Sequence, residues 1–146
     1  MRLQKQGKNE CYLATIAMVL DKTIEEVRDT ALKLTGLIKW DDASTINYTT
    51  IRKYYGLPAL FPEFSYYLPG IFNGVVKKPT SNDLQGIGTL WVKPYNLCQL
   101  PHIVAFENGI IYEPNGYVFN NYQAFEDYWA EREYSFDSCL ITKIKE

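Results

Sequence analysis

His102-Ile103-Val104-Ala105-Phe106-Glu107-Asn108-Gly109-Ile110-Ile111-Tyr112-Glu113 consists of two apolar runs joined by an Asn-Gly pair. A type I′ turn needs positive φ at both central residues, and Asn-Gly meets that need at little cost, so the stretch predicts a β-hairpin. The strands are expected over His102–Glu107 and Ile110–Glu113. A two-residue loop also sets the register. Glu107 lies opposite Ile110, Phe106 opposite Ile111 and Val104 opposite Glu113; His102 lies opposite Asn115 if the ladder extends that far. Opposed residues share a face of the sheet, and so do alternate ones. His102, Val104, Glu113 and Asn115 are therefore expected on one face.

Outward from the hairpin, Thr89-Leu90-Trp91-Val92 predicts a preceding strand and Tyr117-Val118-Phe119 a short extension of the sheet. Residues 122–131 predict a helix with Phe125, Tyr128 and Trp129 inward, and residues 136–144 a last strand. The first half of the chain reads differently. Residues 10–20 carry Leu13, Ile16, Ala17 and Leu20 at helical spacing, with Ala14 and Met18 widening the apolar surface and Asn9 as the expected N-cap. Such a helix must be buried on most sides. Thr23-Ile24-Glu25-Glu26 is a capping box opening a second helix that Gly36 ends. A third helix, capped by Ser44 or Thr45, is expected to reach Tyr55, with Gly56 and Pro58 stopping it. Residues 58–85 hold four prolines and an aromatic cluster at Phe61, Phe64, Tyr66, Tyr67 and Phe72. They read as an ordered loop region with one short helix near 66–72, serving either as a binding loop or as cover for a sheet edge. Helices first and an antiparallel sheet after them make an α+β chain, expected as one domain over residues 1–146.

Composition narrows the function. Of 146 residues, 47% are hydrophobic and 22% charged, which suits a globular core. The net charge of −2 offers no basic field for a phosphate backbone, so a nucleic-acid partner is not expected. No apolar run approaches the ~20 residues of a membrane-spanning helix, and no membrane partner is expected. The first twenty residues have the basic start and apolar run of a short signal peptide but lack a small-residue cleavage site, so that reading is set aside. Three cysteines, Cys11, Cys98 and Cys139, are odd in number and widely spaced, which suggests neither a disulfide framework nor a zinc cluster. A reducing, cytoplasmic compartment is the expectation.

The chemistry concentrates at two places. In Gln6-Gly7-Lys8-Asn9-Glu10-Cys11-Tyr12 a polar loop runs into a cysteine that opens an apolar helix. Helix N-termini favour negative charge, and a thiol there can fall from about 8.5 to roughly 3.5–7.5 in pKa. Gln6 is placed to offer an amide N–H to a developing oxyanion. The chain's one histidine, His102, is the single candidate base. Against this, a lone cysteine in an apolar helix is ordinarily a small core residue, and His102 and Glu113 could be a bonded strand end and a solvated acid. The shared face of His102 with Glu113 and Asn115 shifts the balance to a Cys-His nucleophile with an orienting third residue. Cys98, four residues before His102, and Cys139, mid-strand, are expected to be buried thiols.

These features together resemble papain-like cysteine peptidases, and among them the bacteriocin-leader-peptidase-like group and its short phage-type relatives. The likeness rests on Gln6 before Cys11, on Thr23-Ile24-Glu25-Glu26-Val27, on Tyr55-Gly56-Leu57, on His102-Ile103-Val104-Ala105-Phe106-Glu107-Asn108-Gly109 and on Glu113-Pro114. The resemblance implies a papain-like fold with N-terminal helices on a C-terminal antiparallel sheet. It implies Cys11 as nucleophile, His102 as base, Glu113 as the residue orienting His102, and Gln6 in the oxyanion hole. Three departures stand out: Tyr12 replaces the family's usual Gly, Glu113 its usual Asp, and Gln6 lies five residues before the cysteine where six is usual, with Gln4 at seven. Asn115 is the alternative third member. The implied function is cleavage of a peptide or isopeptide bond in a protein or peptide substrate, without metal or organic cofactor, in a cytoplasm that a phage-encoded protein would share with its host. The alternatives are a transferase or deamidase on the same fold, and a catalytically silent host-interaction module.

Overall fold

The computed structural model describes residues 1–8, 10–40, 48–57, 72–76, 78–94, 102–134 and 136–145. In chain order these form α1 (Cys11–Val19), α2 (Ile24–Thr35), α3 (Tyr48–Tyr55), β1 (Phe72–Val76), β2 (Ile87–Pro94), β3 (His102–Glu107), β4 (Ile110–Glu113), β5 (Tyr117–Phe119), α4 (Tyr122–Ala130) and β6 (Phe136–Lys145). The architecture is α+β: N-terminal helices and a six-stranded antiparallel open sheet of order β1-β6-β2-β3-β4-β5. No described helix is long and apolar enough to cross a membrane.

The hairpin forms as its turn chemistry requires. Asn108 and Gly109 have φ of 49° and 86°, and Glu107 pairs with Ile110 and Phe106 with Ile111. The ladder stops sooner than expected. Its last pair is Ala105 with Tyr112, and β4 ends at Glu113. Pro114 has no N–H to continue the ladder, and a turn closes at once, Gly116 N–H donating to Glu113 O at 2.9 Å with Gly116 at φ 104°. Asn115 therefore sits in the β4–β5 turn and not opposite His102.

Strand alternation gives the sheet two apolar faces. Ile103 joins Tyr12, Leu13, Ile16, Ile24 and Val27, and Ala105 joins Met18 and Val19, so odd residues of β3 face α1 and α2. Val104 and Phe106 instead pack with Ile111, Tyr122 and Phe125 beneath α4. Helix α1 lies between α2 and the sheet, and every residue from Tyr12 to Val19 is buried, as its unbroken apolar sequence demands. Thr23 caps α2 through its side chain, accepting from Glu26 N–H, and Gly36 ends it in the left-handed conformation.

Four local expectations fail or fall elsewhere. Phe72–Val76 is an edge strand, where the proline and aromatic content suggested a loop. It is short, and its ladder is irregular between Phe72 and Gly74, so neither length nor alternation announced it. The helix expected near 66–72 falls outside the described residues except at Phe72, which begins β1 instead, and the Ser44 or Thr45 cap lies outside them as well. Glu10 occupies the N-cap position of α1 and makes no side-chain cap; Asn9, the expected cap, lies outside the described residues.

Glu10 is held by Arg28 of α2. The guanidinium donates from Nε to Oε2 at 2.5 Å and from a terminal nitrogen to Oε1 at 2.8 Å, and Gly7 N–H adds a bond of 2.8 Å. The pair fixes the start of α1 against α2. Arg28 holds the Glu10 carboxyl below its ordinary value despite burial. A depressed carboxylate contributes stability above its unfolded value of about 4.3 and loses it as pH falls through the folded one. Arg28→Met is expected to cost about 1–2 kcal/mol at pH 7, discounted for the partial exposure of the guanidinium. The gap from the parent should narrow below about pH 4. Denaturant melts at pH 7 and pH 3.5 check both statements.

Candidate active site

The site gathers at one end of the sheet, where β3 begins and β4 ends. The buried Glu113 side chain has no exposure to water, and His102 at the start of β3 is 14% exposed. His102 Nε2 lies 2.5 Å from Glu113 Oε1. An ionised carboxylate can only accept, so Nε2 carries the hydrogen and the neutral ring keeps its lone pair on Nδ1. That leaves Nδ1 as the basic nitrogen. The hairpin face expected from sequence is thus realised for His102 and Glu113, by a bond across the end of the ladder.

Glu113 has two further donors. Trp129 Nε1–H of α4 donates to Oε2 at 3.3 Å, and Asn115 N–H reaches Oε1 at 3.4 Å. The Trp129 ring also meets His102 edge-on, with centroids 5.5 Å apart. Sequence patterning placed Trp129 inward as core and missed this polar task. Its indole N–H was the available signal, since a buried indole needs an acceptor. Asn121 sets the position of α4 by capping it, accepting from Ala124 N–H at 2.8 Å.

The loop before Cys11 is tied to the same turn. Gln6 N–H donates to Pro114 O at 2.8 Å, and Gln6 Nε2 donates to Asn115 Oδ1 at 2.7 Å. Gln6 Oε1 accepts from Glu10 N–H at 3.2 Å. One carboxamide therefore links the residue before Cys11 to the residues just after Glu113. Gln4 is spent elsewhere, accepting from Ile24 N–H at the head of α2. Asn115, the alternative partner for His102, is bonded to Gln6 instead.

Cys11 is the first residue of α1 and is partly exposed. The direction of α1 brings it to the His102 end. One turn after Cys11, Thr15 Oγ1 donates to Ile103 O at 3.2 Å, and at the far end Met18 and Val19 pack on Ala105. The helix thus runs alongside β3 in the same direction, its head toward the strand's first residue. Cys139 is buried in β6 against the Tyr122 hydroxyl at 3.4 Å, which is the core position expected of it, and burial pushes its thiol up to about 11. Cys98 lies outside the described residues. Among the described residues no group of three His, Cys, Asp or Glu is placed to hold a metal.

A helix-start thiol, an imidazole with its basic nitrogen turned from a buried carboxylate, and nearby amide donors can together support nucleophilic acyl chemistry. The bonding separates the two candidates for the third position. Glu113→Gln should slow alkylation of Cys11 at neutral pH more than Asn115→Ala, by ~1–3 kcal/mol, the worth of one charged hydrogen bond. Rates read by peptide mass spectrometry, at equal melting temperature, check the ranking; the opposite order would move the orienting role to Asn115.

Compared with protein-family models, curated proteins and solved structures, the chain matches none, so geometry and chemistry carry the functional reading.

Proposed function

We propose that this chain is a papain-like thiol hydrolase that cleaves a peptide or isopeptide bond, with Cys11 as nucleophile, His102 as base and Glu113 orienting His102. The observation that carries the reading is the bond from His102 Nε2 to a fully buried Glu113 carboxylate. A solvated strand-end histidine would not need it. The bond fixes both the ring's orientation and its tautomer, which are the two things a third triad member supplies.

The reaction follows from the residues. His102 Nδ1 takes the proton of Cys11, and the sulfur attacks the scissile carbonyl carbon. A C–S bond forms and the carbonyl electron pair moves to oxygen. The Cys11 backbone N–H and the second Nε2–H of Gln6 are assigned to that oxyanion. The pair returns, the C–N bond breaks, and His102 gives its proton to the leaving amine. Water, deprotonated by His102, then attacks the thioester and releases the acid and the thiol. Through both steps Glu113 stabilises the imidazolium that forms, by a charge-assisted bond. No step calls for a metal or an organic cofactor.

The test needs no knowledge of the substrate. At pH 6, iodoacetamide should label Cys11 roughly ten- to a hundredfold faster than free cysteine, because more of the thiol is ionised there. His102→Ala should remove most of that advantage without lowering the melting temperature to match. A parent Cys11 that reacts like free cysteine, unaffected by His102→Ala, would leave an interaction module without chemistry as the better reading. Once a substrate is found, Cys11→Ala should abolish its turnover while leaving the fold intact.

A further inference from the structure

The residues before Cys11 and the turn after Glu113 are joined by bonds whose direction is fixed. The Glu10 backbone N–H can only donate, and it donates to Gln6 Oε1 at 3.2 Å. The other arm of that carboxamide is therefore Nε2, which donates to Asn115 Oδ1 at 2.7 Å. A reversed Gln6 carboxamide would set oxygen against oxygen at Asn115 and N–H against N–H at Glu10. Asn115 is itself placed by a tight turn. Pro114 and Asn115 are its central residues, and Gly116 N–H closes it on Glu113 O at 2.9 Å. Asn115 N–H reaches Glu113 Oε1 at 3.4 Å, the oxygen that His102 also bonds. The Gln6 backbone N–H holds the same turn at Pro114 O, 2.8 Å away, and a Lys5 side-chain carbon lies 3.5 Å from where a Cβ on Gly116 would sit. Asn115 thus bonds the acid through its backbone and the Gln6 carboxamide through its side chain.

We propose that Asn115 is a positioning residue for the oxyanion: its Oδ1 takes one hydrogen of Gln6 Nε2 and so aims the other at the substrate's carbonyl oxygen. This rests on the thiol-hydrolase reading above. Asn115 touches no reacting atom and acts through Gln6. A donor stabilises an oxyanion well only when it is already aimed as the charge develops. A glutamine side chain has several rotatable bonds, and ordering it during the reaction would cost conformational freedom. The bonds to Asn115 and Glu10 settle that orientation beforehand. The role also gives Asn115 a use away from the imidazole, where Glu113 is the bonded partner.

The test compares two reactions of Cys11 in the full-length protein, each read by peptide mass spectrometry. Iodoacetamide forms the C–S bond as iodide leaves, and no oxyanion develops. With p-nitrophenyl acetate the sulfur attacks the ester carbonyl and its electron pair moves to oxygen. The pair then returns, the C–O bond breaks, and p-nitrophenolate departs, leaving an acetyl thioester. Gln6→Ala should slow acetylation about a hundredfold and Asn115→Ala about tenfold, within the range for losing or misaiming an oxyanion donor. Both should alkylate within about twofold of the parent, since thiol and base are untouched. The double variant should acetylate like Gln6→Ala alone, because Asn115 has nothing left to position. Asn115→Asp keeps an oxygen acceptor and should restore most of the acetylation rate. A merely structural Asn115 would slow acetylation again in the Gln6→Ala background, and that result would overturn the proposal. So would an Asn115→Ala that acetylates like the parent, or one that slows both reactions equally. Any of these three results, with His102→Ala still slowing alkylation, leaves the hydrolase reading standing. A parent Cys11 that reacts like free cysteine with both reagents, unmoved by His102→Ala, would remove both.

Discussion

A carboxylate stripped of water is costly unless donors surround it, and Glu113 is such a carboxylate. Its two oxygens accept from His102, Trp129 and the Asn115 backbone. Each donor comes from a different part of the chain: the start of β3, the end of α4 and the β4–β5 turn. To satisfy one buried acid, the fold must bring these three parts together at one end of the sheet. The same requirement fixes the imidazole, because a ring bonded to Glu113 through Nε2 can offer only Nδ1 to a partner. Chemistry and packing are here one constraint: replacing Glu113 by an apolar residue would release the ring and leave the Trp129 N–H without its acceptor.

A second set of bonds carries that order to the thiol. Gln6 joins the Asn115 side chain and Pro114 carbonyl to the Glu10 backbone, and Glu10 is anchored through its carboxylate to Arg28. The head of α1 is therefore held from two sides, by α2 and by the turn after Glu113. Thr15 adds a third tie, to the backbone beside His102. A helix end so tied would hold the proposed nucleophile, Cys11, in one orientation, and such preorganisation contributes to rate.

Much of this was legible in the sequence, for local reasons. Asn108-Gly109 has one good turn and hence one register, and that register put His102 and Glu113 on a face. Thr23 and Gly36 stand where their capping chemistry is unambiguous, and the apolar run of α1 left no option but burial. What failed depended on partners distant in sequence. Phe72–Val76 is a strand because β6 returns to pair with it, and five residues with a central Asn-Gly carry no such message. Asn115 was expected on the ladder, but Pro114 ended the strand first. The Glu10 ion pair was not foreseen at all, because its partner Arg28 lies eighteen residues later on another helix. Trp129 was read correctly as inward, yet its N–H partner lies on another element and could not be seen from α4 alone.

Because the chain has one histidine, its imidazole can be observed alone. The most direct measurement is the tautomer of His102, read by ¹⁵N-resolved NMR in uniformly labelled protein with Cys11 blocked by methylthiolation, at a pH where the ring is neutral. Glu113 as acceptor predicts hydrogen on Nε2 and a lone pair on Nδ1. Hydrogen on Nδ1, with the lone pair on Nε2, would contradict the account, since Glu113 would then not be accepting from the ring and Nδ1 could not be the base proposed for Cys11.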